Sequence, residues 1–459
     1  MTHVSNPSSS IHSMKPHTFL LLAFALPVLS AELKPNVLVI VSDDQGYADA
    51  GFNGSKDIPT PSLDALAKSG LRCTSGYVTH PFCSPTRAAL MTGRYQQRFG
   101  HENNPVYQPG NASEGLPLTE KLLPAYLATA GMKTGWIGKW HLGATPEHAP
   151  WKRGFAESFG FIGGGHQFID WKQKNEEYNI PLIRDGESVE VPEHLTARFG
   201  SEASGFIKRH ASEPWFLYLA FNAPHTPHQP TPEELAKFSS IQDPQRRKYA
   251  AQISLMDAAI GQVLHELDAT GQRQRTLIFF FSDNGGPLVA SGPSAPSNSP
   301  LRGGKGQLYE GGVRVPFVIS WPGTLPGGKD FDSPVSSLDV FATSLALAGV
   351  PMPTDLPHDG VNLIPFLKGE TKDAPHPRLF WRVGGGTAHA VRDGNWKLFR
   401  AKGMPAELYN LASDIGESHD LASENPEVVT RLAVELEAWD KELIPPAYAG
   451  LGAVKKAAK

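Results

Sequence analysis

Two pairs of oxygen-bearing side chains follow two strongly apolar segments of this chain. Asp43 and Asp44 follow residues 37–41, Asp283 and Asn284 follow residues 277–281, and a single serine separates each pair from its segment. Such pairs are also ordinary turn residues. If the two segments end at one edge of a sheet, the four side chains form an all-oxygen ligand set there. Such a set suits a hard cation, Ca²⁺ or Mg²⁺.

A second candidate for chemistry is the cysteine in the segment Cys83-Ser84-Pro85-Thr86-Arg87. Pro85 fits the first turn of a helix, and residues 88–91 continue the helical pattern before Gly93. Cys83 then lies at a helix N-terminus, where backbone N–H groups and the helix dipole favour an anion. Arg87 lies one turn further on. The alternative is a capped helix with a small buried cysteine, which is the usual role of a free cysteine.

Cationic side chains occur in several glycine-rich or strand-end segments. They are Lys139, His141, His225 and Lys305. Together with Arg87, they would offset the charge of a site that holds three aspartates. The whole chain has 42 Lys and Arg against 46 Asp and Glu, which gives a net charge of −4. This balance excludes a broad basic surface for nucleic acid, so the positive charge for an anionic substrate must be local.

Three continuous apolar runs predict strands that are buried on both faces, as in a parallel sheet covered by helices. The runs are residues 37–41, 215–221 and 277–281. Helical patterns alternate with them, at residues 62–69, 121–130 and 249–268. This alternation predicts an α/β fold. Ligands of such sheets bind beyond the carboxyl ends of the strands, so we expect the polar residues after the three runs to share one edge.

The chain is predicted to have three parts. Residues 1–31 are predicted to be a signal peptide with Met14 as the initiator, because a short positive segment precedes an apolar stretch too short to span a membrane. Residues 35–370 are predicted to form the catalytic domain, which includes a long Gly/Pro/Ser-rich loop at residues 285–304. Residues 375–459 are predicted to form a smaller domain with a short antiparallel sheet and a helix. We therefore expect an exported protein, periplasmic or extracellular, without a membrane span.

Two segments match the signatures of a known family. Cys83-x-Pro85-x-Arg87 followed by Thr92-Gly93 resembles the modification signature of the type I sulfatases, which belong to the alkaline phosphatase superfamily. The segment from Gly131 to His141 resembles their second signature, with Met132 where tyrosine is usual. The resemblance implies a large mixed sheet sandwiched by helices, with a smaller C-terminal α+β domain. The activity that it implies is the hydrolysis of sulfate esters.

The resemblance also implies a nucleophile and a metal. Cys83 would be oxidised to formylglycine (3-oxoalanine) by a separate maturation enzyme, and its gem-diol form would attack sulfur to give a sulfo-enzyme intermediate. Ca²⁺ is the implied cation and Mg²⁺ is less expected. Its ligands would be Asp43, Asp44, Cys83, Asp283 and Asn284. Conversion of Cys83 would leave Cys73 without a partner, so no disulfide is expected.

The remaining cations receive roles from the same resemblance. The sulfate oxygens would be held by Lys139, Lys305 and His225, and His225 would help to protonate the leaving oxygen. Arg87 would favour the deprotonated hydroxyl of residue 83. His141 would take the proton from the second hydroxyl of that residue.

The substrate implied is a sulfated polysaccharide or its oligosaccharides, because residues 161–166 and 416–421 resemble those of bacterial glycan sulfatases. Candidate substrate contacts outside the signatures are His166, Asp170, His228, Arg302 and Arg314. Structural roles in turns or ion pairs are the alternative for these residues.

Two other functions are open at this point. A phosphate or phosphonate monoester hydrolase of the same superfamily would share the fold, although such phosphatases usually use Ser or Thr with zinc and more His ligands. A secreted glycan-binding protein would keep the fold with Cys83 unconverted. The relative rates on aryl sulfate and aryl phosphate, and the chemical state of Cys83, discriminate among the three.

Overall fold

A ten-stranded mixed sheet is the central element of the computed structural model, which describes residues 1–10, 33–169, 172, 177–289 and 294–451. The strands, in chain order, are β1 (Asn36–Ser42), β2 (Leu71–Cys73), β3 (Gly76–Tyr77), β4 (Lys133–Lys139), β5 (Glu157–Phe161), β6 (Leu182–Arg184), β7 (Glu187–Val189), β8 (Trp215–Ala220), β9 (Thr276–Ser282), β10 (Phe317–Ser320), β11 (Lys329–Phe331), β12 (Val335–Ser336), β13 (Arg378–Val383), β14 (Ala388–Asp393), β15 (Trp396–Ala401) and β16 (Glu407–Asn410). The order across the large sheet is β11-β2-β10-β9-β1-β8-β4-β5-β6-β7. β3 and β12 form a two-stranded sheet, and β13 to β16 form a four-stranded one.

The middle of the large sheet is parallel. β9, β1, β8, β4 and β5 run in the same direction, whereas β10 pairs antiparallel with β9 and β6 pairs antiparallel with β5. The three predicted strands are confirmed as β1, β8 and β9, and every residue in them is buried. The register pairs Ser42 of β1 with Ser282 of β9, and Val41 of β1 with Ala220 of β8. The carboxyl ends of these strands therefore meet at one edge, as expected.

The described residues form ten α-helices, six of which cover the two faces of the large sheet. In chain order they are α1 (Pro61–Lys68), α2 (Cys83–Thr92), α3 (Leu123–Thr129), α4 (Leu195–Arg209), α5 (Pro232–Ala236), α6 (Pro244–Ala269), α7 (Glu310–Val313), α8 (Asp339–Ala348), α9 (Ile364–Leu367) and α10 (Pro426–Asp440). α2, α3 and α8 pack on the face that contains Val39 and Phe279, and α1, α4 and α6 pack on the face that contains Ile40 and Phe280. Because successive strand residues enter opposite cores, the strands are apolar throughout. The predicted sheet sandwiched by helices is confirmed.

The C-terminal four-stranded sheet is antiparallel throughout and packs against α10. Leu398 and Leu408 of the sheet share a core cluster with Leu432 and Leu436 of the helix. The predicted short strands and closing helix are thus present. The domain boundary between residues 370 and 375 stays a prediction.

The predicted signal peptide falls largely on residues 11–32, which lie outside the described residues. Residues 1–10 contain no helix or strand. Within the described part of the chain, no helix combines the length and the apolar character that crossing a membrane requires.

Candidate active site

The ends of β1 and β9 bring Asp43 and Asp283 side by side, because Ser42 and Ser282 are paired in register. Asp44 has a left-handed backbone conformation, with φ of 66°, which Asp tolerates better than most residues. Its amide donates a hydrogen bond to Asp283 Oδ1 at 3.3 Å. All three carboxylates are buried. The acidic pairs of the sequence therefore form one cluster.

Cys83 joins this cluster as the first residue of α2. One ligand atom from each of Asp43, Asp44, Cys83 and Asp283 lies within 4.8 Å of the others. The Cys83 thiol donates a hydrogen bond to Asp43 Oδ1 at 3.5 Å. The helix N-terminus predicted from Pro85 thus places residue 83 against the carboxylates.

The environment of Cys83 keeps its sulfur protonated. The side chain is 1% exposed, and burial raises the pKa of the thiol to about 12 although Lys139 and Lys305 act in the opposite direction. The thiol form therefore prevails at neutral pH, and it is the thiolate that is the nucleophile. A nucleophile at position 83 would thus require chemical conversion of the cysteine.

Each carboxylate of the cluster is paired with a different cation. The pairs and their shortest N–O distances are Arg87–Asp283 at 2.7 Å, Lys139–Asp43 at 2.7 Å and Lys305–Asp44 at 2.6 Å. The Arg87 and Lys139 side chains are fully buried, whereas the Lys305 side chain is 16% exposed. Lys305 is therefore the cation of the three that an anion from solvent can reach directly.

The charges of the cluster shift the acidities of its members. Burial alone would raise the pKa of Asp44, but the charges of Lys305 and His225 hold it well below its usual value. Burial and the charge of Asp43 raise the pKa of Asp283, although Arg87 opposes the change. Repulsion between neighbouring carboxylates thus persists in spite of the three cations, and a bound metal cation would relieve it.

His225 follows β8 and reaches the cluster with one ring nitrogen. Its Nδ1 lies 2.7 Å from the carbonyl oxygen of Thr226. Because a carbonyl oxygen only accepts hydrogen bonds, Nδ1 carries a proton. Nε2 lies 3.5 Å from Asp44 Oδ2. Burial, reinforced by Lys305 and opposed by Asp44, lowers the pKa of His225 to about 4, so the ring is neutral near pH 7.

His141 is buried, and among the described residues neither of its ring nitrogens has a hydrogen-bond partner. It has a left-handed backbone conformation, with φ of 62°. Burial and the charge of Lys139 lower its pKa well below the ordinary value. Since a buried polar group without a partner is costly, these nitrogens indicate a ligand that the described part of the chain does not provide.

The donor set fits a hard cation. Asn284 Nδ2 donates hydrogen bonds to Asp44 Oδ1 at 2.7 Å and to the Gly285 carbonyl at 2.9 Å. Its Oδ1 is buried, and none of the residues that the structure describes donates a hydrogen bond to it. That oxygen and the carboxylate oxygens of Asp43, Asp44 and Asp283 are the ligands that Ca²⁺ prefers.

The other predicted site residues have different surroundings. His228 lies near the cluster, since His225 and Asp44 both affect its pKa, which burial lowers to about 4. His166 is buried, with its ring nitrogens 2.6 and 2.9 Å from two backbone carbonyl oxygens. These contacts give His166 a structural role, and its contact with substrate stays a prediction.

The two arginine candidates are engaged with other parts of the chain. Arg302 donates a hydrogen bond to the Tyr409 hydroxyl at 2.7 Å, and Arg314 pairs with Glu310 at 3.2 Å. The structure therefore does not bring either guanidinium into the carboxylate cluster. Asp170 lies outside the described residues, so its role also stays a prediction.

Sequence reasoning missed two neighbours of His141. Ser84 Oγ donates a hydrogen bond to the His141 carbonyl at 2.5 Å. Gly164 leaves room for the ring, because a Cβ there would lie 2.7 Å from His141 Nε2. The run of three glycines at residues 163–165 signals such a close approach, whereas nothing in the sequence links Ser84 to His141.

The chain resembles known proteins over most of its length. Residues 35–350 match the family described as Sulfatase, and residues 304–442 match the one described as N-sulphoglucosamine sulphohydrolase, C-terminal. N-acetylgalactosamine-6-sulfatase of Homo sapiens is 37% identical over 469 aligned positions, which cover 90% of this chain and 86% of that protein.

Solved structures agree with this relationship. The crystal structure of Ps i-CgsB in complex with k-i-k-neocarrahexaose has a TM-score of 0.87 and 38% identity, covering 92% of this chain and 96% of that one. PsFucS1 sulfatase from Pseudoalteromonas sp. has a TM-score of 0.77 and 25% identity, covering 89% and 90%. The chain belongs to the sulfatase family. It is an enzyme of the sulfuric ester hydrolase class.

Proposed function

We propose that this protein removes sulfate from a sulfated polysaccharide or its oligosaccharides, with converted Cys83 as the nucleophile. The observation that carries the proposal is the position of Cys83. It opens α2 inside a cluster of three buried carboxylates, each paired with a cation. A buried thiol of raised pKa is a poor nucleophile, which supports conversion before function.

Two groups that the chain does not contain would complete the site. Ca²⁺, held by Asp43, Asp44, Asp283, Asn284 and residue 83, would supply a Lewis acid that polarises a sulfate oxygen. Formylglycine at position 83, made by a separate maturation enzyme, would supply the attacking hydroxyl.

The cationic side chains bind and polarise the sulfate group. Lys305, which solvent reaches, and Lys139, which lies deeper, donate charge-assisted hydrogen bonds to sulfate oxygens. Arg87, fixed by Asp283, stabilises negative charge at residue 83. These groups lie where charge builds up as the ester bond breaks.

The two histidines take part in proton transfer. His225 faces the leaving oxygen with Nε2, since its Nδ1–H is held by the Thr226 carbonyl. Because Nε2 of the neutral ring carries no proton, His225 donates one to the leaving oxygen only from the doubly protonated form. His141 accepts the proton from residue 83, because both of its ring nitrogens lack a partner within the described ranges. The neutral state of His141 near pH 7 suits it to act as a base.

The substrate class follows from the relatives. One is named for N-acetylgalactosamine-6-sulfate and one was solved with a neocarrahexaose, and both are more than one third identical to this chain. We place His228 at the rim of the substrate pocket. Export to the periplasm or the extracellular space, by the predicted signal peptide, would bring the enzyme to such polysaccharides.

The state of residue 83 is the first test, on protein purified from its own host. Trypsin releases residues 73–87 as one peptide that holds both cysteines. After alkylation, Cys73 serves as the internal control. An aldehyde at position 83 with Cys73 alkylated supports the proposal, whereas two alkylated cysteines overturn it in favour of a glycan-binding protein.

Turnover is the second test. Matured protein and its Cys83→Ala variant are assayed for released sulfate on 4-methylumbelliferyl sulfate, carrageenan oligosaccharides and N-acetylgalactosamine 6-sulfate. The corresponding aryl phosphate is the competitor. We expect sulfate release that Cys83→Ala abolishes, with an unchanged far-UV circular dichroism spectrum. Faster turnover of the phosphate would favour a phosphate monoester hydrolase.

A further inference from the structure

The two ends of the loop that carries Lys305 are joined by a backbone hydrogen bond. In residues 302–311, called here the Lys305 loop, the amide of Gly311 donates a hydrogen bond to the Arg302 carbonyl at 2.8 Å. The amide of Lys305 donates to the Gly286 carbonyl at 3.1 Å. The backbone of Lys305 is thus hydrogen-bonded to the segment that follows Asp283 and Asn284. The two ends of the loop are held by other residues.

A buried ion cluster holds the C-terminal end of the Lys305 loop. Lys397 of β15 pairs with Glu310 at 2.8 Å and with Glu417 at 2.9 Å, and none of the three side chains is exposed. Glu417 also accepts a hydrogen bond from the backbone amide of Glu310 at 2.6 Å. Glu417 therefore binds the backbone of the loop and a cation of the C-terminal sheet at the same time.

Neighbouring cationic side chains balance the charges of the two carboxylates in this cluster. Burial would raise the pKa of Glu310, but Lys397 and Arg314 lower it to about 2. Burial and the charge of Glu310 raise the pKa of Glu417, and Lys397 opposes that shift. Removing one member of such a buried cluster leaves the others uncompensated, so the cluster has one preferred arrangement.

The N-terminal end of the loop is held by the next strand. Arg302 donates hydrogen bonds to the Tyr409 hydroxyl of β16 at 2.7 Å and to the Glu417 carbonyl at 3.0 Å. Its guanidinium lies over the Tyr309 ring, 3.8 Å from the centroid. Both ends of the Lys305 loop are thus bound to residues that the C-terminal sheet and the segment after it provide.

The side chains at the two ends lie close to Lys305 along the chain. Arg302 precedes it by three residues and Glu310 follows it by five. Few residues therefore separate the two anchored ends from Lys305, whose ammonium must stay within hydrogen-bond distance of its target. Misplacement by about 1 Å can cost roughly a hundredfold in rate.

We propose that the C-terminal sheet positions Lys305, with Glu417 and Lys397 fixing one end of its loop at Glu310 and Tyr409 fixing the other at Arg302. The proposal rests on the proposed contact of Lys305 with sulfate. Glu417 and Tyr409 are positioning residues, since they touch neither the carboxylate cluster nor residue 83 in the contacts that the described residues make.

The test is a double-mutant cycle on matured enzyme. The substrate is 4-methylumbelliferyl sulfate or the glycan from which sulfate is released in the turnover test described above. The variants are Glu417→Gln, Lys305→Ala and the double variant. We expect Glu417→Gln to lower kcat/KM about tenfold in the wild-type background and less than about twofold in the Lys305→Ala background, because residues that act as a unit are non-additive. Equal factors in both backgrounds overturn the proposal.

Two further variants separate positioning from folding. Tyr409→Phe removes the hydroxyl that accepts from Arg302 and tests the other end of the loop if Glu417→Gln fails to fold; its effect should also vanish in the Lys305→Ala background. Leu267→Ala, in the core between α6 and the large sheet, is the control for lost stability and should lower Tm with kcat/KM unchanged. A rate loss in Leu267→Ala equal to that in Glu417→Gln contradicts positioning.

The outcomes keep the two proposals apart. Unchanged kcat/KM in Lys305→Ala contradicts the role of Lys305 itself, and the positioning proposal falls with it. A loss in Lys305→Ala combined with wild-type kcat/KM in both Glu417→Gln and Tyr409→Phe overturns the positioning proposal alone.

Discussion

Arg87 donates two hydrogen bonds, from Nε at 3.0 Å and Nη2 at 2.7 Å, to a single oxygen of Asp283. The other oxygen, Oδ1, is left to the Asp44 amide and to the proposed cation. Asp283 thus directs one oxygen to a buried guanidinium and leaves the other for the proposed metal. Neither side chain is exposed, so the two are energetically dependent on each other.

Substitution of Asp283 should therefore separate metal binding from folding. Asp283→Asn keeps the side-chain shape and should lose calcium and turnover together, measured by elemental analysis and sulfate release. Both variants remove the charge that compensates buried Arg87 and should lower the free energy of unfolding. Asp283→Ala should cost more, about 3–5 kcal/mol, because it also removes the oxygen that accepts both Arg87 hydrogen bonds.

The matched control is Asp257→Asn, another buried carboxylate. It accepts hydrogen bonds from the backbone amides of Ser62 and Leu63, so it should cost stability while calcium is retained. Full calcium content in Asp283→Asn would contradict the assignment of Asp283 as a ligand.

Lys305→Ala should impair turnover far more than stability. Loss of one charge-assisted contact to a reacting oxyanion costs about 10²–10³ in kcat. The cost in stability is limited because Asp44 keeps the hydrogen bond from Asn284 Nδ2 when the ammonium is removed. Steady-state kinetics and Tm are the two measurements. Lys133→Ala, which removes an exposed pair with Glu213, is the control and should change neither. A large fall in Tm with little loss of kcat would make Lys305 structural.

Gly164→Ala should displace the His141 ring. The added Cβ would lie 2.7 Å from His141 Nε2 and 3.0 Å from Glu177 Oε1. We expect kcat/KM to fall about 10- to 100-fold, since small errors in catalytic geometry are costly. Gly205→Ala on α4, where the Cβ meets only Arg209 Nη1 at 3.2 Å, should retain full activity. Wild-type kinetics in Gly164→Ala would argue against His141 as the base.

The pH dependence of stability should contain a contribution from His376. Its Nε2 donates a hydrogen bond to Asp339 Oδ1 at 2.7 Å, and the charge of Asp339 raises its pKa although burial opposes this. A histidine whose pKa is raised on folding stabilises the fold fully below its unfolded pKa of about 6.5. That contribution is lost as the pH rises through the raised value.

The measurement is Tm of the wild type and of His376→Gln across this range. The difference in Tm should be largest below about pH 6.5 and should shrink as the solution becomes alkaline. A difference that does not vary with pH would contradict the assignment. His419, which is exposed, provides the control substitution.

The central fold was predictable because the apolar composition of its strands identifies them in the sequence. Residues 37–41 and 277–281 are too apolar for a surface, and their polar endings predicted the shared edge. The outer strands were not predicted, since β6, β7 and β11 are short and half-exposed, and only tertiary pairing makes them strands.

The signatures predicted the cluster of Cys83 with the aspartates, whereas the sequence did not predict the partners of Arg302 and Arg314, whose contact with substrate stays a prediction. Both resemble the cations of the site in sequence, yet their partners are Tyr409 and Glu310. Arg302 and Tyr409 are far apart along the chain, and no spacing rule links them. The group that a long cationic side chain binds is determined by the folded structure and cannot be read from the sequence.

The two outer strands of the large sheet have a consequence for the behaviour of the protein in concentrated solution. β7 and β11 are three residues long and expose Glu187 and Lys329. Short edges offer few unpaired backbone groups to a strand from another molecule, and burying their charged side chains against it would cost desolvation. A sheet of ten strands thus ends on both sides in a surface that discourages edge-to-edge aggregation.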